Sequence, residues 1–310
     1  MNWYILGHLK NGHLLTFMFL YLSLGNSIKH KICHLVYFTN SSTMTVMRLS
    51  NYTNFHYLGQ GSQATVYSAV NRSTNKKVAI KMYASSSMGG FLQEVRVLRR
   101  NQKLNLKHSI QLIESFIEKD KLFIVLEFVT GVELHDFITS EQLTTKNDIK
   151  SLFKQILLAV YELHENSICH LDIKLENIMI DVTSKEIKLI DFGFSNFTDA
   201  NQDKEKLQTK FCGSIHYSSP EIIRNVPYSG KKADIWSLGI LLFVLIEEKF
   251  PFGGNDDTNA VAHQIIRDQP DYSSRFSSQT IQFIELMLHK NPSKRPEIKT
   301  LLQHSWFSGL

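Results

Sequence analysis

The chain reads as an α+β protein of two lobes, a small β-rich one followed by a larger, mainly helical one. Three observations predict this. Short strand-like runs separated by turn residues fill Tyr52 to Phe128, with one helical pattern among them. Beyond Gly131 the apolar residues recur at helical spacing over windows too long for strands. A chain of 310 residues, 43% apolar and 20% charged, can bury a sizeable core in one large domain or two moderate ones.

In chain order, Phe55 to Gly59 and Thr65 to Val70 read as strands flanking a glycine-containing turn, and Lys77 to Tyr83 as the next strand. A helix follows Gly89-Gly90, with Phe91, Leu92, Val95 and Leu98 at the spacing of a core-facing stripe and Glu94 at a different angle. Ile110 to Phe116 and Lys121 to Phe128 complete the strands. In the second lobe, Asp148 to His164 carries Ile149, Leu152, Phe153, Ile156, Leu157 and Val160 on one broad face. Ala233 to Glu247 is apolar enough to be a core helix, and the chain has no internal repeat or low-complexity tract.

Residues 1–51 differ from the rest. Leu14 to Leu24 is an uncharged, mostly apolar run, shorter than the ~20 residues that span a bilayer. Lys10 before it and Ser23 and Gly25 after its core leave three readings open. These are a secretory signal, a membrane-associating segment, and a dispensable leader ahead of a true start at Met44 or Met47. The formal charge of +5 is spread along the chain rather than gathered in a block, which argues against a nucleic-acid partner. Cys33, Cys169 and Cys212 are odd in number and lack metal-ligand spacing, which fits a reducing compartment, with Cys169 as a buried thiol. A cytoplasmic monomer is the expectation.

The chemistry-bearing residues fall in a fixed order. Gly59-Gln-Gly61-Ser-Gln-Ala64-Thr-Val66 places two glycines between strands, where backbone N–H groups can approach phosphate oxygens. Val78-Ala-Ile-Lys81 ends an apolar run in a lysine, and Glu94 follows on the helix. His170-Leu-Asp-Ile-Lys-Leu-Glu-Asn177 and Asp191-Phe-Gly193 come next, then Ser219-Pro-Glu221, Ala233-Asp-Ile-Trp-Ser-Leu-Gly239 and Asn291-Pro-Ser-Lys-Arg-Pro296. Each alone is weak evidence. Together, in this order, they resemble the eukaryotic protein kinases over residues 52 to 308.

The resemblance implies the bilobal protein kinase fold, with a small lobe at about 52–128 and a large lobe at about 131–308. It implies transfer of the ATP γ-phosphoryl group to Ser or Thr hydroxyls of protein substrates. Asp172 takes the part of catalytic base, Lys174 neutralises charge on the transferring group, and Asn177 and Asp191 hold Mg²⁺. Lys81 contacts the α- and β-phosphates and is positioned by Glu94. The glycine-rich loop matches from Leu58, Gly59, Gln60 and Gly61 through Ser62, Gln63 and Ala64 to Thr65 and Val66, with Ala79 beside it. Backbone groups of Glu127 and Val129 match the adenine-binding hinge, next to Leu126 as gatekeeper. Glu221 is expected to pair with Arg295, and Asp234 to brace the catalytic loop. Lys174 and Ser214 match the serine/threonine form. Glu133 and Glu176 match positions that contact ribose or basic residues of a peptide substrate.

Glu186-Ile-Lys-Leu-Ile-Asp-Phe-Gly-Phe-Ser-Asn196, Phe211-Cys-Gly-Ser214 and Phe250-Pro-Phe252 resemble the AMP-activated-kinase-related branch. Within it the resemblance is nearest to the polarity and microtubule-affinity-regulating kinases and their fungal counterparts. Four positions depart from the family pattern: Ala64 for glycine, Ser219 for alanine, Leu171 for the arginine beside the catalytic aspartate, and Lys210 for the phosphorylated threonine, with Thr209 one residue upstream. The last two change together. They imply activity that does not depend on phosphorylation of this loop, the alternative being that Thr209 serves through a one-residue shift. A nucleotide-binding scaffold without turnover is the competing function.

Overall fold

A computed structural model of the protein describes the backbone of residues 2–10 and 13–21, and residues 48–61, 63–140, 145–198, 207–209, 213–253 and 257–310. Ser62, Lys210, Phe211, Cys33 and Cys212, together with Met44 and Met47, lie outside them. The chain divides into two units, 1–50 and 51–310. In the first, β1 (Asn2–Lys10) and β2 (His13–Tyr21) form an antiparallel hairpin, with Asn2 opposite Tyr21 and Lys10 opposite His13. The described part of the apolar run is therefore strand.

The second unit opens with β3 (Tyr52–Gln60), β4 (Ala64–Asn71) and β5 (Lys77–Ala84), then α1 (Met88–Leu104), β6 (Leu112–Glu118) and β7 (Lys121–Glu127). The strands form one antiparallel sheet in the order β3-β4-β5-β7-β6. Asn71 makes the β4–β5 turn: its Oδ1 accepts from the backbone N–H groups of Ser73 (3.0 Å) and Thr74 (3.1 Å). Helix α1 buries Phe91, Glu94, Val95, Val97, Leu98 and Asn101. Leu92, expected on the core stripe, is 43% exposed. At 100° per residue the buried positions span a broad arc, and Leu92 falls outside it.

The larger lobe follows with β8 (Val132–Glu133), α2 (Leu134–Thr139), α3 (Lys146–Glu165), β9 (Ile168–Cys169), β10 (Ile178–Ile180), β11 (Ile187–Leu189) and β12 (Asn196–Phe197). It continues with α4 (Pro220–Ile223), α5 (Gly230–Glu247), α6 (Thr258–Arg267), α7 (Ser278–Met287) and α8 (Ile298–Leu302). A reciprocal capping box starts α3: Thr145 Oγ1 accepts from Asp148 N (3.1 Å) while Asp148 Oδ2 accepts from Thr145 N (3.0 Å). Helix α5 is apolar on all sides and buries Trp236, Leu241 and Phe243 in the lobe's centre. No helix among the described residues is long and apolar enough to cross a membrane.

Two small sheets position the functional loops. Strand β10 pairs with β11 and β8, and β12 pairs with β9. They bring the segments 170–177 and 190–195 side by side, tied by Ile190 N to Asn177 O (2.9 Å) and Ser195 Oγ to His170 O (3.0 Å).

Candidate active site

Strand β9 delivers the chain into the loop from His170 to Asn177, and Asp234 of α5 fixes its course. Buried Asp234 accepts through Oδ2 from His170 N (2.9 Å), through Oδ1 from Leu171 N (2.8 Å), and shares a hydrogen bond with His164 Nε2 (2.9 Å). These bonds hold Leu171 at φ +64°, a left-handed conformation that a leucine keeps only when its surroundings over-determine it. Asp172 follows directly. Its Oδ2 lies 3.0 Å from Lys174 Nζ and accepts from Asn177 Nδ2 at 2.8 Å. Lys174 Nζ also donates to Ser214 Oγ (3.3 Å). Gly213 sits against this loop at φ +84°, where a Cβ would stand 3.0 Å from Leu171 O and 3.2 Å from Asp172 Oδ1. Only glycine allows that approach without strain.

A second cluster assembles around the end of β5. Lys81 Nζ donates to both oxygens of Glu94 (2.9 and 3.1 Å) and to Asp191 Oδ1 (2.8 Å). Burial by itself lowers the pKa of an ammonium, but the Glu94 and Asp191 carboxylates together hold Lys81 above its ordinary value. For Asp191 burial likewise opposes the charge, and Lys81 outweighs it, holding the carboxyl below its usual range. The site therefore keeps Lys81 cationic and Asp191 anionic at neutral pH. Asp191 takes φ +52°, and its Oδ1 accepts from Gly193 N (3.0 Å). Phe192 is fully buried against the His170 ring, 5.1 Å between centroids, and burial pushes the pKa of that imidazole down.

The remaining candidate residues line the sheet and the connection between lobes. Gly59 and Val66 face one another across β3 and β4, and Val66 faces Lys81 across β4 and β5. Gln60 pairs with Thr65, and Gly61 N donates to Ala64 O (2.9 Å) to close the turn. Leu58 is an apolar side chain 51% exposed on β3. Gln63 reaches the start of α1, close enough that a Cβ on Gly90 would collide with its amide. Ala79 is paired with buried Leu126. Glu127 N donates to Gln111 O (3.0 Å), its carboxylate accepts from Gln111 N (3.0 Å) and pairs with Lys188, and Val129 packs partly buried on the core.

Around this centre, Arg295 grips Glu221 through two bonds (2.6 and 2.8 Å). Cys169 is a fully buried thiol, and Leu171, 8% exposed, packs with it, Ile222, Tyr228 and Ala233 in an apolar cluster. Two contacts have no counterpart in the sequence reading. Gln93 Nε2 ties α1 to Ser195 O (3.1 Å) and Asn196 Oδ1 (3.0 Å), and Tyr83 donates its hydroxyl hydrogen to Glu94 Oε2. The signal for Tyr83 was its place two residues after Lys81, on the same face of β5.

The chain is similar to known protein kinases. The protein kinase domain family matches residues 52–307. NUAK family SNF1-like kinase 1 of Mus musculus is 35% identical over 252 residues, covering 80% of this chain and 37% of the relative. A probable serine/threonine-protein kinase KIN1 homolog of Enterocytozoon bieneusi is 37% identical over 220 residues, 70% of this chain and 35% of the relative. Maternal embryonic leucine zipper kinase of Xenopus tropicalis is 32% identical over 259 residues, 83% and 39% respectively. The chain thus spans little more than a third of the length of these relatives. The chain belongs to the protein kinase family, and residues 52–307 are a protein kinase domain similar to those of the NUAK, KIN1-like and maternal embryonic leucine zipper kinases.

Proposed function

We propose that the protein is an active serine/threonine protein kinase, with residues 52–308 as the working domain. The observation that carries this reading is the simultaneous assembly of both charged clusters, Lys81 with Glu94 and Asp191, and Asp172 with Lys174 and Asn177. The substrate hydroxyl oxygen forms a bond to the γ-phosphorus, the bond to the β–γ bridging oxygen breaks, ADP leaves, and the hydroxyl proton goes to Asp172. Lys174, 3.0 Å from Asp172 Oδ2, stands where it compensates the charge spread over the transferring group. Lys81 is held by Glu94 to receive the α- and β-phosphates, and the Leu58–Val66 turn, Ala79 and the backbone of Glu127 and Val129 enclose the nucleotide.

Asn177 and Asp191 fit Mg²⁺ by donor chemistry: an amide oxygen and a carboxylate are hard ligands suited to it. Asn177 commits its nitrogen to Asp172, to the backbone oxygen (2.8 Å) as well as Oδ2, so the other arm of the amide is its oxygen. Mg²⁺ held there would neutralise phosphate charge. The rival reading, a scaffold without turnover, has no missing group in its favour: Lys81, Glu94, Asp172, Lys174, Asn177 and Asp191 are all present. Transfer of labelled γ-phosphate from ATP to a generic protein, followed by phosphoamino-acid analysis, is expected to yield phosphoserine or phosphothreonine. ATP binding with no transfer would favour the scaffold.

Two further expectations concern substrate and control. Glu133 lies near the Asp136 and Glu176 carboxylates, which after burial raise its pKa, so three acidic side chains gather beside the catalytic loop. A peptide library is expected to show enrichment of Arg or Lys upstream of the acceptor, and indifference to those residues sinks the preference. Leu171 is buried among apolar side chains and offers no charge to a phosphorylated loop. Thr209→Ala is therefore expected to retain most of the activity in steady-state assays, whereas a fall to background would restore Thr209 as the switch.

A further inference from the structure

Glu94 is almost fully buried, and a buried carboxylate needs its lone pairs matched by donors if it is to stay in one place. Lys81 supplies one donor group, an ammonium at the end of a long flexible stem. Tyr83 supplies another, through its hydroxyl to Glu94 Oε2. Its ring is fully buried and packs edge-on against Phe91, centroids 6.0 Å apart at 71°, and Lys81 Nζ lies 5.5 Å from the ring centre. Phe91 and Glu94 are three residues apart and so share one face of α1. Tyr83 thus holds that face at two points, ring to Phe91 and hydroxyl to Glu94, from the strand that also carries Lys81.

We infer that Tyr83 is a positioning residue for phosphoryl transfer, holding Glu94 so that Lys81 is presented to the nucleotide phosphates. The aromatic ring has only two side-chain torsions, both fixed by packing, so its hydroxyl is already placed before ATP arrives. With the hydroxyl gone, the Oε2 lone pairs lose a donor that water cannot easily replace at a buried site, and α1 has less reason to stay against β5. On the other side of α1, Gln93 holds the helix to Ser195 and Asn196. The inference rests on the kinase reading for its effect on rate, but not for its effect on α1.

The test is Tyr83→Phe, which keeps the ring and deletes only the donor, with Tyr67→Phe on the same sheet as control. Steady-state kinetics with ATP and a protein substrate are expected to show kcat/KM for ATP reduced about ten-fold, as for loss of a charge-assisted hydrogen bond, with KM for the protein substrate unchanged. Amide hydrogen exchange is expected to quicken across residues 88–104 in Tyr83→Phe and not in Tyr67→Phe. Unchanged exchange over 88–104 overturns the inference, as does equal weakening towards ATP and protein substrate. If the wild type transfers no phosphate, the kinase reading fails, and the exchange measurement alone still decides whether Tyr83 holds α1.

Discussion

Asp172→Asn is expected to lower kcat by about 10²–10⁴-fold, the range for loss of a positioned general base, and to leave ATP affinity within about two-fold. The substitution preserves shape, so the loop fixed by Asp234 keeps its course. It removes the carboxylate that faces Lys174 at 3.0 Å, the group proposed above to take up the hydroxyl proton. Among the described residues, the cluster of Lys81, Glu94 and Asp191 shares no hydrogen bond or ion pair with Asp172 and is left intact. Stopped turnover alongside retained ATP binding, read by calorimetry, is the expected pair of results. Equal kcat in both proteins would remove Asp172 from the reaction.

Glu221→Ala is expected to cost about 3–5 kcal/mol of folding stability, because it strands a buried guanidinium. The Arg295 side chain is completely buried, and beyond Glu221 it has His289 O (2.8 Å) and Lys232 O (2.9 Å) as acceptors and the Trp236 ring at 5.1 Å. Those neutral groups orient the cation without cancelling its charge. Glu221 also stands at the start of α4, where the segment that passes Asp172 ends, so the loss is expected to loosen the substrate side of the site as well. Urea unfolding should show the midpoint falling at constant slope. The double variant Glu221→Met with Arg295→Met is expected to recover part of the loss, since removing both charges leaves neither unpaired. A loss under about 1 kcal/mol in Glu221→Ala would show that the pair is solvated when unfolding is measured.

The strand and helix patterns were legible wherever one face of an element meets one environment. Helix α3 extends only slightly beyond the expected Asp148–His164, because its apolar face is broad. Strand β6 was expected from Ile110 and runs instead from Leu112 to Glu118. Ile110 N is taken by Leu189 O (2.9 Å) of the other lobe, a partner that local pattern does not contain. Leu92 shows the same limit. An apolar residue at helical spacing indicates a helix, but the width of the buried arc depends on what packs against it.

The motifs pointed to the chemistry through their resemblance to the protein kinases, because the identity and order of the lysine, acids and amide are carried by the sequence itself. Tertiary structure alone decided how the groups meet. Lys81 and Asp191 are 2.8 Å apart through the packing of one lobe on the other. Tyr83 became a partner of Glu94, and Leu171 became part of an apolar cluster, only when strand, helix and loop were laid together. Sequence spacing records which side chains an element presents on a face. Which neighbour that face meets is set by burial and close packing summed over the whole domain, and those are properties of no single segment.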